Sequence, residues 1–425
     1  MNVPKLRFGE FSEKWKAIEL GKLMTFKNGI NASKEQYGRG VKFINVTDII
    51  ENDYITYDRV VGSVDVEGKE LEKNIVEYGD ILFQRSSETR EDVGQANVYL
   101  DKIKFATFGG FVIRGKKVGN FDSVFMNYLL KTRKARKEVT TKSGGSTRYN
   151  VGQSTLAAVN IDLPPCVSEQ QKIASFLSKV DEKVALLTEK KDKLTEYKKG
   201  VMQQLFNGKW EEQDGLLTFI PPTLRFKADD GSEFPDWDEK RLGKVFTRIR
   251  RKNKENNQNV LTISAQQGLV NQEKYFNKSV AAKDVTGYYL LENGDFAYNK
   301  SYSKGYPMGA IKRLNNYDKG VVSTLYICFG LNQGFVSDFF EHYFESGLQN
   351  RDLSKIAQEG ARNHGLLNIS VDEFFKDVKL LTPSHDEQLK IANFISAINQ
   401  KIDLANSELE KAKEWKKGLL QQMFV

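Results

Sequence analysis

The sequence predicts an α+β protein built twice, with each globular domain running into one long helix. Three observations predict it. Pro165–Phe206 and Pro383–Phe424 align without gaps at an offset of 218 residues, with 18 of 42 positions identical. Both segments carry apolar residues at 3-4 spacing, the pattern of a long coiled-coil helix. The regions before them hold short strand-like runs broken by Gly, Asn and Asp and followed by helical segments.

The first domain is assigned residues 1–163, with strands expected at Val41–Val46, Ile81–Phe83 and Phe105–Ile113 and a helix over Val124–Val139. The first long helix takes 164–206. Its seam combines Ile173, Val180, Leu187 and Leu194 with Leu177 and Val184. Ser168 suits its N-cap, because a side-chain oxygen can accept from the free N–H groups of the first turn. Residues 207–221, with Gly208 and Gly215 and ending at Pro221-Pro222, read as a linker. The second domain, 222–381, repeats the plan, with strands expected at Val260–Ile263 and Val321–Phe329 and a helix over Val336–Ala357. The second long helix, 382–425, has its seam at Ile391, Ile395, Ile398, Ile402, Leu409 and Leu419, and Asp386 suits its N-cap. Two matching helices in one chain are expected to pair with each other.

Shorter echoes extend the repeat upstream. Pro4-Lys5-Leu6-Arg7-Phe8 matches Pro222-Thr223-Leu224-Arg225-Phe226, each followed by a Trp (Trp15, Trp237) and Leu-Gly-Lys. Gly79-Asp80 matches Gly294-Asp295. Between these anchors the halves share little, which fits either drift or selection for two different targets.

Composition narrows the function. The 425 residues carry 64 Lys+Arg against 56 Asp+Glu, a net charge of +8 that fits a polyanionic partner without requiring one. Two cysteines and three histidines leave no basis for a disulfide framework or a Cys/His metal centre. No apolar run is long enough to span a membrane, and the first residues lack a signal-peptide core, so a cytoplasmic location is expected. No phosphate loop, nucleophile elbow, H-E-x-x-H or amino-methyltransferase tetrapeptide occurs. Catalytic, cofactor-binding and metal-ligating residues are therefore expected to be none.

Four loops suit DNA. Gln84, Arg85, Ser86 and Arg90 follow one strand, and Lys300, Tyr302, Lys304 and Tyr306 follow its counterpart. Arg148, Tyr149 and Asn150 close a Gly/Ser-rich stretch, and Arg362, Asn363 and His364 close its counterpart. Cations and amides of this kind donate to phosphates and read base edges, although each loop alone also reads as an exposed turn. Two basic runs, Lys131–Lys137 and Arg248–Lys254, offer further phosphate contacts, and a solvated helix face accounts for the first equally well.

Taken together, these residues resemble the DNA-specificity subunit of a type I restriction–modification system. The resemblance covers the whole length and rests on the Pro-x-x-x-Glu-Gln motif at Pro165–Gln170 and Pro383–Gln388. It rests also on the Lys-Lys-Gly-x-x-Gln-Gln-x-Phe tail at Lys198–Phe206 and Lys416–Phe424, and on Gly79-Asp80 and Gly294-Asp295. It implies two target-recognition domains on an antiparallel helix pair with a pseudo-twofold arrangement. It further implies a non-catalytic subunit that reads a bipartite, asymmetric double-stranded DNA target, with the helices setting the gap. Two methyltransferase subunits would methylate adenine N6 with S-adenosylmethionine, and two restriction (translocase–nuclease) subunits would add ATP- and magnesium-dependent cleavage, in defence against phage. The alternative is a coiled-coil scaffold that assembles other proteins without reading DNA.

Overall fold

The computed structural model describes residues 3–213, 216–278, 284–359 and 367–425. The chain divides into two units, residues 1–188 with 407–425 and residues 189–406. In the first unit a four-stranded antiparallel sheet runs in the order Met24–Asn28, Val112–Lys117, Ile81–Gln84, Ala96–Val98. In the second the order is Phe246–Arg248, Ile327–Leu331, Phe296–Asn299, Ala310–Arg313. The two orders correspond strand for strand, so the duplication survives in topology where the sequences have diverged. A two-stranded ribbon also recurs, Lys16–Glu19 with Asn160–Leu163 and Asp238–Arg241 with Lys379–Thr382.

The strands Ile81–Gln84 and Phe296–Asn299 each open with three apolar residues because both faces are buried there. Alternate side chains point to opposite faces of a strand. Ile81 and Phe83 accordingly enter the cluster that contains the helices, while Leu82 enters a separate one with Val112 and Tyr99. Phe296 and Tyr298 against Ala297 repeat the split. Gly79 and Gly294 precede these strands at φ +92° and +93°, a left-handed turn that glycine adopts without strain. The following aspartates close the turns, Asp80 accepting from the Glu77 N–H at 3.1 Å and Asp295 from the Glu292 N–H at 2.8 Å. Burial pushes both carboxyls above their ordinary range.

Several boundaries differ from the sequence reading, each for a local reason. The helix expected over Val124–Val139 is two, Ser123–Lys131 and Arg133–Lys142, because Thr132 is extended and caps the second through the Ala135 N–H. The helix expected over Val336–Ala357 breaks after Ser346 at Gly347, whose φ is +80°. The strand expected over Phe105–Ile113 divides at Gly109-Gly110, and that expected over Val321–Phe329 divides after Val322. The expected linker contains a hairpin, Lys209–Gln213 with Leu216–Ile220, whose Phe219 ring lies 6.0 Å from Trp237.

The long helices span Val167–Phe206 and His385–Met423, 40 and 39 residues. At about 1.5 Å per residue each is about 60 Å long. They begin two residues earlier than caps at Ser168 and Asp386 would give, so both of these residues sit in the first turn. At the second helix the Ser384 hydroxyl accepts from the Glu387 N–H at 3.4 Å instead.

Helix pairing is antiparallel within each unit. In the first, Ile173, Leu177 and Val180 share a core with Leu419, Met423 and Phe424 of the other helix. In the second, Val201, Leu205 and Phe206 share a core with Ile391, Ile395 and Ile398. Leu409 is buried as well, while Val184, Leu187, Leu194 and Ile402 are half-buried. The buried ends have domain residues around them in addition to the partner helix. Phe424 packs on Trp15 and Phe125, at 6.1 and 5.3 Å between ring centroids. Phe206 packs on Trp237 and Phe339, at 6.3 and 5.8 Å. The repeated tail phenylalanine thus anchors each helix end beneath the domain of the other repeat.

The Pro-x-x-x-Glu-Gln motif fixes the opposite helix ends. Glu169, almost fully buried, accepts both Arg7 nitrogens at 2.8 Å and the Trp15 indole N–H at 3.2 Å. Gln170 accepts from the Asp122 N–H at 2.8 Å and donates to the Pro164 carbonyl at 2.9 Å. In the second copy Glu387 accepts Arg225 at 2.9 and 2.7 Å, and Gln388 accepts from the Val336 N–H at 3.1 Å and donates to Pro383. Each Gln holds the N-terminus of one domain helix, Ser123–Lys131 or Ser337–Ser346, and each Arg ties the start of its repeat to the long helix. One difference stands out: the buried Trp237 indole N–H has no partner where that of Trp15 does. Among the described residues no helix is long and apolar enough to cross a membrane.

Candidate nucleic-acid interface

In the first unit the two expected loops meet at the end of the central strand; in the second, only the loop that starts at Lys300 falls among the described residues. In the first, Ser86–Ser87 pairs antiparallel with Tyr149–Asn150, and the Val151 N–H donates to the Arg85 carbonyl at 3.0 Å. The Ser86 hydroxyl binds the Asn150 amide oxygen at 2.5 Å. In the second, the Leu367 N–H donates to the Lys300 carbonyl at 3.0 Å, placing the hairpin strand Leu367–Asn368 against the loop that starts at Lys300. Segments far apart in sequence therefore meet in each unit, and Arg85 and Lys300 hold equivalent places just after equivalent strands.

The first surface surrounds a cleft of about 560 Å³ lined by Ser86, Thr89, Gln95, Phe111 and Arg148 among others. Arg148 is exposed, as is Phe111, at 64%. The Arg85 guanidinium donates to the Gly110 carbonyl at 3.2 Å and so braces the Gly109-Gly110 turn that presents Phe111. A second, smaller cleft of about 250 Å³ continues past Phe111 to Tyr37, Asn45 and Thr47. Hydroxyls, amides, a guanidinium and an exposed ring suit the phosphates, edges and faces of nucleotides. Phe111, Gln95 and Thr89 were not among the expected residues. The one signal for Phe111 was the Gly-Gly before it.

Not every expected residue faces outward. Gln84 is buried as the last residue of its strand and donates to the Ser86 carbonyl, because the strand runs one residue further than expected. The Arg90 side chain donates to the Thr140 carbonyl at 3.1 Å. Tyr306 belongs to an internal polar group, donating to Glu345 at 2.6 Å and accepting from Lys312 at 3.1 Å, and burial raises its phenol well above the ordinary value. Tyr302 and Lys304 are exposed and Lys300 is half-buried. Arg362, Asn363 and His364 lie outside the described residues.

Several cations of the two basic runs are engaged within the fold. Lys131 donates to the Asp53 carbonyl, Arg136 to those of Glu91 and Val93, and Lys134 pairs with Asp162. Arg251 pairs with Asp295 and Glu292, and Lys252 donates to the Gly287 carbonyl.

Comparison with known proteins agrees with this geometry. Residues 12–196 match the family model described as the type I restriction modification DNA specificity domain. The chain is 29% identical over 246 residues to the type I restriction enzyme MjaIX specificity subunit of Methanocaldococcus jannaschii, covering 56% of this chain and 53% of that protein. Another protein of that organism is 25% identical over 249 residues, covering 57% of this chain and 55% of its own length. The chain thus spans about half the length of the curated relatives it matches. In fold it resembles the type I restriction–modification S subunit from M. genitalium, with a TM-score of 0.55 at 18% identity, covering 100% of this chain and 99% of that one.

Proposed function

We propose, from the match of residues 12–196 to the type I restriction modification DNA specificity domain, that this chain is the sequence-reading, non-catalytic subunit of such a system. The observation that carries the reading is the recurrence, in both units, of one strand order whose central strand ends beside a segment from far along the chain. Each unit would read one half-site of a bipartite, asymmetric double-stranded DNA target, and the paired helices would set the gap. Good bidentate contacts discriminate by about 1–3 kcal/mol per base. Two tethered readers combine their preferences only when the spacing matches. Half-sites about one helical turn apart would present the same side of the duplex to both readers.

In this reading catalysis lies with partners. Two methyltransferase subunits would use S-adenosylmethionine to methylate adenine N6. Two restriction subunits would use ATP and magnesium for translocation and cleavage. Methylome sequencing of a host carrying this gene and its methyltransferase, against a host lacking this gene alone, tests the reading. A two-part adenine-methylation motif that disappears with the gene is expected. An unchanged methylome with the partner expressed would refute it and favour a scaffold without DNA readout.

A further inference from the structure

The junction between long helix and domain is built from equivalent positions in the two units but is closed in only one. In the first unit Tyr128, the sixth residue of helix Ser123–Lys131, donates to Asp181 of the long helix at 2.6 Å. Lys416 of the other long helix pairs with the same carboxylate at 2.7 Å. The helix repeat offset of 218 maps Asp181 onto Asn399 and Lys198 onto Lys416. The domain helices align through their first residues, whose preceding N–H groups are held by Gln170 and Gln388, and this maps Tyr128 onto His342. In the second unit a phenol has thus become an imidazole, and the carboxylate has become a neutral amide. The lysine remains.

The result is an opening of about 1040 Å³ lined by Lys198, Lys199, His342 and Asn399 among others. His342 is 6% exposed, and its Nε2 is buried with no hydrogen-bond partner among the described residues. Neither Lys198 nor Lys199 has an ion pair among the described residues. The acids on the same wall are already neutralised. Glu345 is held by Tyr306 and Lys312, and Glu341 by Arg313 and Asn315. What the site lacks is the acceptor that its counterpart contains.

We propose that the second unit holds a binding site for a carboxylate group supplied from outside the chain, at Lys198, His342 and Asn399, where the first unit uses its own Asp181. A carboxylate there would pair with Lys198 and accept from the imidazole, completing a junction that the first unit closes internally. The assignment rests on geometry within one unit and is independent of the DNA-reading role.

The full chain labelled with ¹⁵N at its three histidines tests it. Acetate, against chloride at equal ionic strength, is held at saturating concentration while the pH falls from about 7.5 to 3.5, a range that spans both the midpoint without acetate and the raised one. The charges facing His342 are Lys198 and Lys199 on the long helix, Asp338, Glu341 and Glu345 on its own helix, and Arg313 and Lys312 on the adjacent strand. Burial and Lys198 together hold the imidazole near a midpoint of about 4. Saturating acetate is expected to raise that midpoint by about one unit or more, as an adjacent opposite charge does. Asn399→Asp should raise it without acetate and abolish the acetate response, and Lys198→Met should abolish the response without restoring the acid. An equal effect of chloride, a response to inorganic phosphate but not to acetate, or a wild-type acetate response in either variant would overturn the proposal.

Discussion

Replacing Arg225 with Met tests whether the repeated Glu-Gln motif is a lock. Glu387 is fully buried, and its two oxygens are held by Arg225 at 2.9 and 2.7 Å. Removing one partner of a buried pair costs about 3–5 kcal/mol, because the remaining charge stays desolvated. In a unit of about 200 residues each kcal/mol moves the thermal midpoint by about 2–4 °C, so a drop of about 6–20 °C is expected for the second unit. Arg7→Met should cost less by about 1.5–3 kcal/mol, the worth of a hydrogen bond to a charged group, because Glu169 keeps the Trp15 indole at 3.2 Å. Hydrogen exchange at the two helix entries measures each unit separately, which a single melting curve of a two-unit chain does not. Adding Glu387→Gln to Arg225→Met should recover most of the loss, since no charge is then left buried. A cost below about 1 kcal/mol for Arg225→Met, or no recovery in the double variant, would refute the lock.

The tryptophan difference makes a companion test: Trp15→Phe should cost about 1–3 kcal/mol more than Trp237→Phe by denaturation, because only Trp15 gives up a bond to a buried carboxylate. The neutral imidazole of His342 gives a pH dependence. Its folded midpoint of about 4 lies below the ordinary 6.5, so the unfolded chain binds the proton first as pH falls. The second unit should therefore lose up to about 3 kcal/mol between pH 6.5 and 4, a loss that His342→Gln removes from the stability–pH profile. On the DNA side, Arg148→Ala and Phe111→Ala should relax the first half-site alone and Lys300→Ala the second alone, each by about 1–3 kcal/mol in competition binding with half-site variants. A uniform loss across both half-sites would place these residues on phosphates or in the frame instead.

How much of this was legible follows from what leaves a trace in one sequence. The long helices did, because a seam recurring every seven residues is periodic, and Ile173, Leu177, Ile391 and Ile395 are buried as expected. The lock did not, because an ion pair between Arg7 and Glu169 has no period. Its one trace was that the same 162-residue separation joins Arg225 to Glu387. The domain helices were read too long because Thr132 and Gly347 break them by backbone conformation, with no proline at either place to mark the break. Among the loops, strand-end chemistry singled out Arg85 and Lys300, whose carbonyls each accept a main-chain N–H from a distant segment, at Val151 and Leu367. It misjudged Gln84 by one residue of strand, and it did not foresee that Tyr306 faces Glu345.

The division between what repeats and what differs has a physical source. The repeated residues are those that touch two elements at once: Arg7 and Glu169, Gln170 and the Asp122 N–H, Phe424 and Trp15, with their second-unit equivalents. A change at any of them leaves a partner buried and unmatched. The strand order needs only backbone hydrogen bonds and alternating apolar faces, so it persists through extensive substitution. The joined loops hold each other largely through main-chain bonds such as Val151 to Arg85 and Leu367 to Lys300, leaving many of their side chains outside the frame. Side chains such as Arg148 and Tyr302 are therefore the ones that can change without cost to folding, which is the property a surface needs if it is to acquire a new target while the frame stays fixed.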